Sequence, residues 1–236
     1  VSVLLLRLAG PLQSWGSAAR FVRRTTESAP TKSGVLGMLA GALGRDRGED
    51  LADLAALRFA VRTEQPGTRV RDLQTAHHGD TEKPMPLSER FYLADAVFVA
   101  AVEGPDATVD ALAAALRAPV HLPYLGRRSC PPSGPVDLGV RSGAGLRSVL
   151  EREPWQAAPW YRRRHHAASV ALPVQADAEP EEQPRADLLR DLPLSFDPRH
   201  RRYALRGVVS FVVNAPTAEA DHDPTAHLNP LEPESD

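Results

Sequence analysis

Residues 89–102 read Glu89-Arg90-Phe91-Tyr92-Leu93-Ala94-Asp95-Ala96-Val97-Phe98-Val99-Ala100-Ala101-Val102. The first half mixes polar and apolar residues and the second half is wholly apolar. The pattern predicts one long strand whose second half is central and covered on both faces, because a strand buried on both faces has no polar side to alternate. Working outward, Ser2–Leu8 is a second apolar strand, and Arg58–Glu64 and Thr68–Thr75 alternate as strands. Thr108–Arg117 has the spacing of an amphipathic helix, and Glu49–Leu57 that of a shorter one. Pro30-Thr31-Lys32-Ser33 reads as a helix start with Thr31 as N-cap, the helix running to about Leu43. Further on, Ala167–Val174 and Arg201–Val213 read as strands, and Leu146–Leu150 as a weak element.

This order predicts an α+β fold: a ferredoxin-like βαββαβ sheet with extra hairpins, the architecture that also underlies the RNA-recognition motif. We expect residues 1–120 to form that unit and residues 121–214 a loop-rich, smaller C-terminal β region. Residues 215–236 are expected to be an acidic, Pro-rich disordered tail.

Composition narrows the function. The chain has 236 residues, and none of its apolar runs approaches the ~20 residues a membrane span needs. No secretory signal is visible, and Cys130 is the only cysteine, so internal disulfides and multi-cysteine metal sites are excluded. A cytoplasmic protein without cofactor or metal is expected. The net charge of −2 is unevenly spread: residues 215–236 hold six acids and no Lys or Arg, leaving 28 bases against 24 acids in residues 1–214. All bases but Lys32 and Lys83 are arginine, which can grip phosphate with two parallel hydrogen bonds and stack on bases. A GC-rich genome would produce the same bias.

Three constellations could carry chemistry. In the helix after Thr31, Gly34, Gly37, Gly41 and Gly44 fall within roughly 80° of arc at ~100° per residue. Such a stripe suits tight packing, while Lys32, Ser33 and the free amides at the helix start would suit a phosphate. In the loop Tyr124-Leu125-Gly126-Arg127-Arg128-Ser129-Cys130-Pro131, two arginines could clamp phosphates and the tyrosine could stack a base. The excursion between Thr63 and Tyr92 carries Arg69, Arg71, Gln74, His77, His78 and Arg90. The pairs His77-His78 and His165-His166 suggest acid–base chemistry, but adjacent strand residues point to opposite faces. Cys130 sits in a loop with no identifiable base.

Three motifs carry a family resemblance: Leu6-Arg7-Leu8-Ala9-Gly10-Pro11-Leu12-Gln13-Ser14-Trp15-Gly16, then Pro30-Thr31-Lys32-Ser33-Gly34-Val35-Leu36-Gly37, then the Tyr124–Pro131 loop. Together with Phe59–Arg62, the arm after it and the strand at Arg90–Val102, they resemble the Cas5-family subunit of type I-E CRISPR Cascade complexes, over residues 3 to about 140. The resemblance implies a modified RNA-recognition fold with a protruding β-hairpin thumb, here Thr63–Tyr92. It implies a non-catalytic subunit that holds the 5′ handle of the CRISPR RNA and contacts the adjacent backbone subunit and the large subunit, meeting target DNA only through the complex. A relative in type I-C systems processes precursor CRISPR RNA, so a metal-independent endoribonuclease, with Lys32, Tyr92 and His77 or His78, is the alternative. The expected RNA ligands are Gln13 and Trp15; Lys32, Ser33 and Gly34; Arg69, Arg71, Gln74 and Arg90 of the arm; and Tyr124, Arg127, Arg128 and Ser129 of the loop. The acidic tail is not part of the family pattern.

Overall fold

A computed structural model describes residues 1–16 and 23–217. In chain order its elements are strands β1 (Ser2–Ala9), β2 (Leu12–Gln13) and β3 (Arg23–Arg24), helices α1 (Lys32–Ala42) and α2 (Ala52–Ala55), then β4 (Arg58–Gln65), β5 (Thr68–Gln74), β6 (Ser88–Ala94) and β7 (Val97–Gly104). Helix α3 (Asp106–Arg117), β8 (Asp137–Ser142), α4 (Leu146–Arg152) and α5 (Pro159–Arg162) follow, and β9 (Ser169–Asp177), β10 (Asp187–Ser195) and β11 (Arg202–Pro216) end the described chain. Seven strands form one antiparallel sheet in the order β10-β11-β9-β4-β7-β1-β8. A small second sheet is built on β6, with β5 along one edge and β2 and β3 sharing the other.

The central strands β1 and β7 are apolar along most of their length because helices or loops cover both faces. Leu4, Leu6 and Leu8 meet Val35, Leu36 and Leu39 of α1 and Leu112 of α3 in one core. Val3 and Leu5 join Val99 and Ala101 under α4 and Trp155 in a second core on the opposite face. Helix α3 buries Val109, Leu112, Ala113 and Leu116, the one-sided spacing seen in the sequence. No helix among the described residues is long and apolar enough to cross a membrane.

The stretch 89–102 is two strands rather than one. Asp95 has φ +56°, a left-handed conformation that Asp adopts more readily than most residues. Its amide donates to the Pro11 carbonyl at 3.1 Å. Opposite it, Gly67 has φ +70°, and a Cβ there would lie 2.5 Å from the Ala94 carbonyl oxygen. The two strands β4 and β7 therefore pair as far as Gln65 and Val97, bend together, and continue as the hairpin β5–β6 from Thr68 and Ala94.

The strands after residue 121 extend the same large sheet: β9 pairs with β4 through Ala60, Val61 and Arg62. Strand β11 runs on through Ala215, fully buried, and Pro216, which face Val170 and Ser169. These two residues belong to the sheet, not to the expected tail; residues 218–236 lie outside the described chain. Strand β10 had no counterpart in the sequence reading, because Pro193 and the mixed Asp187–Ser195 pattern hide it.

Candidate nucleic-acid interface

Helix α1 begins as expected, with the Thr31 hydroxyl accepting from the Gly34 amide at 3.2 Å. The anion at its start belongs to the protein. The Lys32 amide donates to Asp191 Oδ2 at 2.8 Å, and Lys32 Nζ pairs with Asp177 Oδ2 at 2.9 Å. Arg206 ties both carboxylates together, donating to Asp191 Oδ1 and Asp177 Oδ1 at 2.6 Å each. Burial pushes the Lys32 ammonium below its usual range, and Asp177 only partly opposes this. Burial also works against the charge on Arg206, but Asp191 and Asp177 outweigh it and raise its pKa.

The expectation that Lys32 meets an RNA phosphate is therefore corrected: a helix start takes a carboxylate as readily as a phosphate, and Asp191 supplies one. Ser33 is buried in the same turn. Gln13 is corrected as well. Its side chain is completely buried, donating to the Leu8 and Ala96 carbonyls at 3.0 and 2.8 Å and accepting from Trp15 Nε1 at 3.0 Å. Trp15 is buried against Gly34, where a Cβ would come within 2.8 Å of the indole. Gln13, Trp15 and Gly34 thus build the site from behind.

The glycine stripe does not press α1 onto the sheet. Gly34, Gly37 and Gly41 floor an open groove of about 1070 Å³, whose walls include Val120–Tyr124, Phe196 and Tyr203. Arg47, Arg128 and Arg201 reach into it with no ion-pair partner among the described residues. Tyr124 lines the same groove, half-buried.

The loop of residues 124–129 stands between this groove and the small sheet. It is pinned by the Ser14 amide on the Leu125 carbonyl (3.1 Å) and the Leu125 amide on the Cys130 carbonyl (2.7 Å). Gly126 has φ +83°, and a Cβ would lie 1.8 Å from the Ser14 oxygen. Its two arginines part here. Arg127 turns to the small sheet, its guanidinium carbon 4.6 Å from the Tyr92 ring centroid, and Nη2 donates to the Arg24 carbonyl at 2.9 Å. Arg128 and Ser129 stay exposed. Cys130 is fully buried, and burial raises its thiol pKa, as expected of an inert cysteine.

Register divides the arm's candidates. Val70 faces Tyr92, Asp72 faces Arg90 and Gln74 faces Ser88, while Arg69 and Arg71 oppose Leu93 and Phe91 on the other face. Arg90 and Gln74 therefore share the Tyr92 face with Arg127. Arg69 donates to the Thr26 carbonyl at 3.1 Å, Arg71 lies 3.6 Å from Glu89, and Gln74 bonds Asp72. On the Tyr92 face, Arg90 Nε and Arg127 Nη1 are buried and have no hydrogen-bond partner among the described residues. Buried donors are rarely left so. Arg24, which pairs with Arg90 across the sheet, was missed from the sequence; nothing in the polar stretch around it marked it as a strand.

His77 and His78 are exposed in the hairpin loop, the imidazole Nδ1 of His78 accepting from the Asp80 amide at 3.3 Å. Lys32 is bound to Asp177 and Tyr92 lies under Arg127, so the suggested nuclease set is not brought together. Among the described residues no group of three or more His, Cys, Asp or Glu could hold a metal ion.

The chain belongs to the CRISPR-associated Cas5 family, whose model matches residues 3–209. It is 37% identical over 175 residues to the CRISPR system Cascade subunit CasD of Escherichia coli (strain K12), covering 65% of this chain and 78% of that protein. Among solved structures, a chain of a CRISPR RNA-guided surveillance complex matches with TM-score 0.74 and 35% identity, covering 91% of each chain. A Cas protein crystal structure matches with TM-score 0.69 and 39% identity, covering 91% of this chain and 95% of the other.

Proposed function

We propose that this chain is the non-catalytic subunit of a type I-E CRISPR Cascade complex that grips the 5′ handle of the CRISPR RNA and joins the backbone and large subunits in antiviral defence. It works in the cytoplasm and meets target DNA only through the complex, sequence being read by guide pairing. The order β8-β1-β7-β4, with α1 and α3 as crossovers on one face, supports a ferredoxin-like core. The bent hairpin β5–β6 is read as the thumb.

The observation that carries the proposal is the Tyr92 face. Arg90 Nε and Arg127 Nη1 are two buried donors without acceptors among the described residues, beside the exposed Arg128. A phosphodiester oxygen supplies the missing acceptors. The RNA ligands on this reading are Arg90, Arg127, Arg128, Ser129 and Tyr124, with Arg69, Arg71 and Gln74 along the hairpin.

The test is filter binding of handle-bearing RNA against a scrambled handle, together with reconstitution of the complex with and without the chain. Handle preference, and loss of the guide's 5′ end from a complex lacking the chain, are expected. Equal binding of both RNAs and an intact complex without the chain would overturn the reading.

A further inference from the structure

On the sheet face opposite α1, a second arginine cluster has no role in the handle reading. From Pro154 to Ala176 the chain contains no Asp or Glu, yet Arg162, Arg163 and Arg164 stand in succession, followed by His165 and His166. The cluster has a rigid base. Trp155 is buried in the second core and donates through Nε1 to the Glu64 carbonyl at 2.9 Å. His165 packs edge-on against Trp155 at 5.1 Å between ring centroids, and its Nδ1 donates to the Tyr161 carbonyl, 3.0 Å away.

On that base the cations lack counterions among the described residues. Arg162 and Arg163 have no ion pair among the described residues, and Arg162 Nε is buried without a hydrogen-bond partner. The nearest acids are taken: Glu64 pairs with Arg62, and Glu153 with Arg141 and Gln156. Arg162 even repels Arg7, whose pKa is lowered first by burial and then by this neighbour. Beside them Trp160 is 41% exposed, one ring face under Arg164 at 5.1 Å.

We propose that Trp160 to His166 is a second surface for single-stranded nucleic acid. Arg162 and Arg163 would take successive phosphates, and a base would stack on the Trp160–Arg164 platform, a combination that binds strands with little sequence preference. The surface is separate from the Tyr92 face and needs no handle sequence.

The test is fluorescence anisotropy of the full chain with oligouridine and oligothymidine, each carrying 5-iodouracil for photocrosslinking, across a salt series. Arg163→Ala with Arg164→Ala is expected to reduce the log–log salt slope by about 0.7, the one phosphate contact of Arg163, Arg164 being lost from the stacking platform. Trp160→Ala is expected to weaken binding at least about fivefold, with Trp160→Phe restoring most of it. Crosslinks are expected within residues 159–166. All three residues are exposed, so the variants should keep the parent melting temperature. Binding of either polymer here supports the assignment, and the tighter one tells whether RNA or DNA is the natural strand. An unchanged slope with crosslinks confined to other segments would overturn it, as would occupation of the cluster by the six acids of residues 218–236. Arg90→Ala with Arg127→Ala separates the two readings: it should weaken handle RNA while leaving crosslinks at 159–166 intact.

Discussion

Arg127 lies over Tyr92, 4.6 Å from guanidinium carbon to ring centroid, while the next residue, Arg128, faces the groove over α1. One turn thus serves two surfaces, and the two arginines should separate in experiment. Arg128→Ala is expected to lower the salt slope of handle-RNA binding by about 0.7 with no change in Tm. Arg127→Ala should lower the slope too, and also reduce Tm by roughly 2–4 °C, the effect of ~1 kcal/mol in a chain of this size. Filter binding and a thermal melt check both.

Gly126→Ala should be costly for so small a change. The added methyl has no space beside the Ser14 oxygen, and the residue would be held at φ +83°. A loss of more than about 1 kcal/mol is expected from the backbone conformation alone. Urea titration measures it, and handle-RNA binding should fall with it because Arg127 and Arg128 lose their mount.

The pair Arg62–Glu64 is completely buried, with Nε 2.6 Å from Oε1. Arg62 also donates to the carbonyls of Leu150, Glu153 and Pro154. Burial raises the Glu64 pKa, against the pull of Arg62. Glu64→Leu leaves a buried guanidinium unpaired and is expected to destabilise by about 3–5 kcal/mol. Adding Arg62→Met should recover part of that loss, which a double-mutant cycle in urea would show. Because the folded pKa of Glu64 lies above the unfolded one, its own contribution favours folding below the unfolded value. That contribution declines as pH rises through the folded pKa, and Glu64→Gln should flatten this part of the stability–pH curve.

Cys130 is fully buried and its thiol pKa is raised. Ellman's reagent at pH 8 should label it slowly in the native protein and at once in denaturant. Rapid native labelling would show that the 124–131 loop opens.

The purified chain is expected to leave labelled repeat RNA intact, with or without chelator. A single discrete cut lost on His78→Ala or His77→Ala would replace the binding reading by the nuclease.

Periodicity made the central sheet legible: β1, β7 and α3 bury the residues their spacing predicts, whereas β4, which alternates in sequence, is buried on both faces, Arg62 and Glu64 included. Periodicity failed where a single dihedral decides, as at Asp95, since nothing in an apolar run shows where it changes sheets. Within the candidate site, the loop arginines stand out in the sequence because Tyr, Gly and Arg-Arg cluster locally. Sequence alone misassigned Lys32 because Asp177 and Asp191, which claim that lysine and its amide, lie far along the chain. Gln13 was misread for the same reason: its partner carbonyls at Leu8 and Ala96 are fixed by strand pairing, not by neighbours in sequence.

The pairing of β4 with β9 has a consequence for how the protein is made. Val61 bonds against Gln175, so the middle of the large sheet stays open until most of the chain has left the ribosome. Such distant contacts slow folding and leave strand edges unpaired during synthesis. Expressing residues 1–120 alone would expose the β4 edge, and the product should aggregate rather than yield a small soluble module.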